Sequence, residues 1–116
     1  MEIVHRRLPR VDVLALTGRM QAPEAEELRA RIDQLFAEGH VRLILDLAGL
    51  EFMSSPGLRV LIDAQRRAQN SRAQSGGRGD IRLANASPNI RDILARTGFT
   101  SFFQVYDTLV DAVGSM

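Results

Sequence analysis

The side chains here that could act on another molecule are few and scattered. The two histidines, His5 and His40, stand far apart. A metal site or a catalytic triad needs partners at workable spacing, and neither histidine has one. Both therefore read as surface residues. Asp46 closes an apolar run, a place where carboxylates of α/β folds often do catalytic or metal work. A lone aspartate there is more simply a structural hydrogen-bond acceptor. Gly76-Gly77-Arg78-Gly79 has the glycines of a phosphate loop but lacks the helix with Lys and Ser or Thr that should follow. Glu24, Glu26 and Glu27 read as the solvated start of a helix. Cysteine is absent, which excludes disulfides and thiolate chemistry. All 15 basic residues are arginine, so Schiff-base lysines and P-loop chemistry are excluded too. No nucleophile, base and orienting group can be assembled. The expectation is a binding protein rather than an enzyme, with no catalytic residue, metal or cofactor.

One segment stands out: Phe52-Met53-Ser54-Ser55-Pro56-Gly57-Leu58. Locally it predicts a helix start, with Ser55 as N-cap, Pro56 as the first helical residue and Gly57 allowing close approach of the chain. That reading requires no function. A second one rests on the same physics. A helix N-terminus favours negative charge, and a serine there can carry a phosphate without wrecking the fold. About two added negative charges would rewrite any partner surface built on the turn. Met53, and Met20 after the preceding strand, are either apolar contacts on the rim of such a surface or fillers of the core.

The elements that must position this turn follow from periodicity. Ile3 to Arg7 is a possible strand, and Leu8-Pro9-Arg10 a turn. Val11 to Thr17 alternates as a strand that Thr17-Gly18 ends. Pro23 opens a helix whose Leu28, Ile32, Leu35 and Phe36 form one stripe, and Gly39 closes it. Leu43 to Leu47 reads as a central strand buried on both faces, with Ala48 to Ser54 a loop. A second helix runs from Pro56 to about Gln69. Asn70 to Asp80, rich in Ser, Gly and Arg, reads as a flexible loop. Ile81 to Ala84 is a strand, and Ser87-Pro88 starts a helix that Gly98 ends. Phe102 to Val105 is a possible fifth strand, and Thr108 to Val113 a short final helix. The order β-β-α-β-α-β-α-β-α predicts an α/β fold: a mixed, mostly parallel sheet of about five strands with helices packed on it, and an opening pair that can be antiparallel. The 116 residues suffice for one domain, residues 1–116. The 45% hydrophobic and 25% charged content is that of a globular chain. A net charge of +1 argues against nucleic-acid binding by bulk electrostatics. No stretch is apolar enough to span a bilayer, and Met1 to Arg7 lacks a signal-peptide core. The expected location is the cytoplasm, away from membranes.

The chain resembles the STAS domains of bacterial anti-sigma factor antagonists nearly end to end. The resemblance is carried by Val13-Leu14-Ala15-Leu16-Thr17-Gly18-Arg19-Met20, by Leu43-Ile44-Leu45-Asp46-Leu47, by Phe52 to Leu61, and by Ser87-Pro88-Asn89-Ile90-Arg91-Asp92-Ile93-Leu94 leading to Thr97-Gly98-Phe99. It implies partner switching. The unphosphorylated antagonist binds an anti-sigma factor with a histidine-kinase-like ATPase fold, freeing the sigma factor. That ATPase then phosphorylates one serine of the antagonist, which lets go, and a PP2C-type phosphatase resets it. The resemblance places the phosphate on Ser55 and the partner surface at Met20, Gln21, Met53, Ser54, Ser55, Pro56 and Gly57. The chain departs from the family pattern at Ser54, where Asp is common, at Pro56, where Ser, Thr or Ala stands, and at Gln21, where many members have Asp. Two alternatives stay open. One is a STAS module that binds without switching, in a stressosome-like or lipid-transport complex. The other is an unrecognised enzyme on a small α/β sheet.

Overall fold

A computed structural model describes residues 1–74 and 76–116. Its elements run in the order β1 (Glu2–Arg7), β2 (Asp12–Met20), α1 (Ala22–Ala37), β3 (Arg42–Met53), α2 (Ser55–Gln69), β4 (Asp80–Ala84), α3 (Pro88–Arg96), a 3₁₀ turn (Phe99–Phe102), β5 (Val105–Tyr106) and α4 (Leu109–Gly114). Among the described residues the five strands form one sheet in the order β1-β2-β3-β4-β5. β1 is antiparallel to β2, and every other pair is parallel. This is the predicted α/β architecture.

Alternation along the strands divides the interior between two faces. Leu14 and Leu16 of β2, Leu43, Leu45 and Leu47 of β3, and Ile81 and Leu83 of β4 meet α1, α2 and α3 in the main core. Val13, Ile44 and Ala84 point to the other face, where Ala112 of α4 joins them. The helices contribute the stripes their spacing predicts. Leu28, Ile32 and Leu35 are buried on α1, Leu58, Leu61 and Ile62 on α2, and Ile90 and Leu94 on α3. No helix among the described residues is long and apolar enough to cross a membrane.

Two strands are longer than their sequence suggests. β2 does not stop at Thr17-Gly18, and β3 does not stop at Leu47; they stay paired to Met20↔Met53. The pairing is kept by register irregularities between Ala15 and Thr17 and between Gly18 and Arg19. Gly18 adopts φ +96°, which favours glycine. A β-carbon on Gly49 would lie 2.6 Å from Thr17 Cγ2. Glycines that read as strand breakers are here the points at which two strands bulge and continue. The fifth strand is shorter than predicted and shifted, because Phe102 is drawn into the 3₁₀ turn. The loop before β4 folds back on itself: Ala73 N–H donates to Gly77 O and Gly79 N–H to Ser71 O, both at 2.9 Å. Ser75, part of the same expected flexible loop, lies outside the described residues.

One buried amide ties α2 to its surroundings. Gln65 is 1% exposed. Its Oε1 accepts from Ile81 N–H at 2.7 Å, and its Nε2 donates to Asp80 Oδ1 at 2.8 Å and to Phe102 O at 2.9 Å. Gln65→Leu keeps the volume but strands the buried Ile81 N–H and removes the donor to Asp80 Oδ1 and the Phe102 carbonyl. It should lower the unfolding free energy in urea by about 3 kcal/mol.

Candidate functional site: the turn at the ends of β2 and β3

The parallel strands deliver Met20 and Met53 side by side, so the chain leaves both at the same edge of the sheet. Gln21 follows Met20 and precedes α1; Ser54 follows Met53 and precedes α2. The two exits are joined by a hydrogen bond from Ser54 N–H to Met20 O at 2.9 Å. Two helix N-termini therefore open next to one another, each carrying the positive end of its dipole.

The N-cap of α2 is Ser54, not Ser55. Ser54 has extended backbone, and its hydroxyl accepts from Gly57 N–H at 3.3 Å. Ser55 is the first helical residue and Pro56 the second, so the helix begins one residue earlier than the sequence suggests. The reason is the bond to Met20 O, which keeps Ser54 in the strand's frame and begins the helix at the next residue. The shift separates the two serines. The Ser54 hydroxyl is half-buried and committed to the cap. The Ser55 side chain is exposed, and its hydroxyl has no hydrogen-bond partner among the described residues. The shift also trims the expected phosphate cradle. Pro56 has no N–H, and Gly57 N–H already serves Ser54. That leaves Ser55's own N–H as the first-turn donor not taken by the cap.

The methionines take the core reading. Met20 is fully buried and Met53 3% exposed, so neither is a rim contact as the sequence allowed. They form the seat of the turn: a β-carbon on Gly57 would lie 2.7 Å from Met20 Sδ and 3.1 Å from Met53 Cγ. Gly57 is itself buried. The surface presented outward is Gln21, Ser55 and Pro56, all exposed, with Ser54 at its edge. Gln21 N–H is capped by Glu24 Oε1 at 3.0 Å.

Two flanking features escape sequence reading. Arg19 and Phe52 are paired across β2 and β3, and the guanidinium stacks over the ring at 4.6 Å from its centroid, a cation–π contact. The pair exists only because both strands extend past their glycines. Arg59 lies one helical turn beyond Ser55, the spacing at which side chains on a helix surface become neighbours, and it is exposed.

The remaining candidates resolve as follows. Asp46 lies inside β3, where it accepts from Ala48 N–H at 3.1 Å and Asn85 Nδ2 at 3.0 Å, a structural role. Gly76 to Gly79 lead into β4 rather than a helix. The histidines depart from expectation, because they are not independent surface residues. His5 Nε2 lies 2.7 Å from Asp12 Oδ1 and His40 Nδ1 2.8 Å from Asp12 Oδ2, and Arg7 Nε donates to Oδ1 at 3.2 Å. Asp12 is 2% exposed. β1 pairing and the turn into β3 bring together residues that sequence distance keeps apart. The cluster sits at the opposite end of the strands from Ser55. No group of His, Cys, Asp and Glu able to hold a metal occurs among the described residues.

Comparison with known proteins bears on this geometry. The STAS domain model matches residues 2–112. The chain belongs to the STAS domain family. It is 27% identical over 105 residues to BtrV of Bordetella bronchiseptica, provisionally named an anti-sigma factor antagonist, covering 90% of this chain and 85% of BtrV. The fold is similar to that of an anti-sigma factor antagonist from Mycobacterium paratuberculosis, with a TM-score of 0.82, 24% identity and coverage of 98% and 92% of the two chains. It is also similar to the Bacillus cell fate determinant SpoIIAA in its phosphorylated form, with a TM-score of 0.72, 21% identity and 98% coverage of both.

Two stability predictions follow from this STAS domain's two ends. Gly57→Ala pushes a methyl against the Met20 thioether. It should cost about 1–3 kcal/mol, the range for overpacking a core, read as a lower midpoint in urea, and it should cost less when introduced into a Met20→Ala background, where the thioether is gone. At the other end, burial alone would raise the Asp12 carboxyl. The hydrogen bonds from His5, His40 and Arg7, with the charge of His40, outweigh burial and hold it below its ordinary value. A lowered folded pKa contributes stability that is complete above the unfolded value of about 3.9 and is lost as pH falls through the folded value. Asp12→Asn should therefore be less stable at pH 7 and should lose less stability than the parent between pH 5 and the acid limit, measured by urea denaturation across that range.

Proposed function

We propose that this chain is an anti-sigma factor antagonist that works by partner switching. The observation that carries the reading is the state of Ser55: exposed, first in its helix and with an unengaged hydroxyl, while its neighbour Ser54 is held as the cap. The names of the similar proteins support the reading, as does a relative of the same fold in a phosphorylated form. In this proposal the unphosphorylated face, with Gln21, Ser55 and Pro56 outward, docks on an anti-sigma factor with a histidine-kinase-like ATPase fold. The ATPase transfers the γ-phosphoryl of ATP to Ser55 Oγ. The new O–P bond forms as the bond to ADP breaks, and the hydroxyl proton passes to a base on the partner. A phosphate carrying about two negative charges in the middle of the contact then repels the partner. A PP2C-type phosphatase hydrolyses the ester and returns the serine. The chain itself acts as a binding module that regulates transcription in the cytoplasm, without catalysis, membrane or nucleic acid.

Pro56 favours the second reading, a STAS module that binds without switching, because it takes one donor from the turn that would hold a phosphate. Incubation with the ATPase and ATP, followed by intact-mass measurement, separates the two. The expected result is one phosphate on the parent chain and on Ser54→Ala, and none on Ser55→Ala. Ser55→Asp should weaken binding to the ATPase about tenfold or more. A parent chain that takes no phosphate yet binds the ATPase would favour the non-switching module.

A further inference from the structure

The N-terminal ends of the parallel strands, away from Ser55, hold a pocket of about 540 Å³. That is the size of a small-ligand site. Three connections wall it: the β1–β2 turn, the link from α1 to β3, and the loop before β4. The last is tied in by a hydrogen bond from Gln74 N–H to Gly39 O at 3.0 Å. Leu8, Val11, Val41 and Ala73 supply apolar lining, while Arg7, Arg10, His40 and Arg42 supply cationic or hydrogen-bonding groups.

The charge around this pocket does not balance. Its one carboxylate, Asp12, is buried and already accepts three hydrogen bonds, one from Arg7. An ionised carboxylate only accepts, so His40 Nδ1 carries the proton in its bond to Asp12. His40 Nε2 is left with no partner among the described residues. Arg10 makes no ion pair among the described residues, and Arg42 donates to the carbonyl of Arg78, a neutral group, at 3.0 Å. Two guanidinium groups, those of Arg10 and Arg42, thus stand at an apolar cavity without a carboxylate partner among the described residues. Guanidinium forks match phosphate and carboxylate oxygens. A net charge of only +1 gives no broad field for a long polyanion, so the excess is local to the pocket.

We infer that this pocket binds a small amphipathic anion, a phosphate or carboxylate head on a compact apolar body. Arg10 and Arg42 hold the head, and Leu8, Val11 and Val41 receive the body. The site is independent of the Ser55 switch and lies at the other end of the sheet.

Titration of the full chain, followed by backbone amide NMR, tests this. Phenyl phosphate and benzoate are the two probes, with inorganic phosphate and benzyl alcohol supplying head and body alone. Saturable shifts at Leu8 to Asp12, Gly39 to Arg42 and Gln74 are expected with at least one probe, with a Kd of about 1 mM or below. Either half alone should bind about tenfold more weakly or worse. The tighter of the two probes identifies the head group. Arg10→Glu, an exposed turn position, should weaken that probe about tenfold or more with the remaining spectrum unchanged, and Arg42→Gln should act in the same direction. Three results would each overturn the inference: no saturable shift with either probe, shifts centred on Ser54 to Gly57 instead, or parental affinity in Arg10→Glu.

Discussion

Gly57 has room for a hydrogen and nothing larger, because Met20 and Met53 fill the space beneath it. Most of the site's geometry follows from that contact. The methionines are there because β2 and β3 remain paired to their last residues. The pairing allows Ser54 N–H to reach Met20 O, and that bond fixes where the strand frame ends and the helix frame begins. The helix starts at Ser55, and the close seat of Gly57 draws its first turn down onto the core. The exposed serine is the outward consequence of a buried sulfur-lined floor. Methionine suits such a floor, since its flexible thioether fills the irregular gap between two strand ends and a helix start.

How far this was legible in the sequence depends on whether a residue's role is local. The stripes of α1 and α2, the Ser87 cap accepting from Ile90 N–H, the order of elements along the chain and the turn itself all follow from neighbours a few residues away. The misreadings share one cause. Thr17-Gly18 and Ala48-Gly49 look like strand ends when each is read alone; they continue because each strand finds the other and the glycines absorb the mismatch. The cap moved by one residue because a carbonyl more than thirty positions upstream claims Ser54 N–H. The Arg19–Phe52 stack and the convergence of His5 and His40 on Asp12 have no one-dimensional signature, since both arise from strand register. Periodicity reports which face a residue occupies, and register decides whom it meets there.

The two ends of the sheet handle polar groups in contrasting ways. At the strand N-termini, Asp12 is buried and saturated by three donors, while Arg10 and Arg42 nearby have no carboxylate partner among the described residues. At the strand C-termini, the polar groups of the turn itself are neutral and local, a serine cap, a glutamine and an unengaged hydroxyl, and the charges of Arg19, Glu24 and Arg59 lie around it. A neutral surface suits a device that reads the arrival of charge. A phosphate there would add charge where the turn has none of its own.

Pro56 sharpens how such a charge would act. With no N–H at the second helical position and Gly57 N–H already taken by Ser54, the first turn has little to wrap around a phosphate. The helix dipole and Arg59 one turn along remain to steady it, both at the surface and both screened by salt. Nothing in that arrangement pulls the backbone into a new shape, and the Met20–Gly57–Met53 contact resists any such movement. On this geometry a phosphate on Ser55, if the proposed switch operates, would work by what it presents to a partner and not by refolding the turn that carries it.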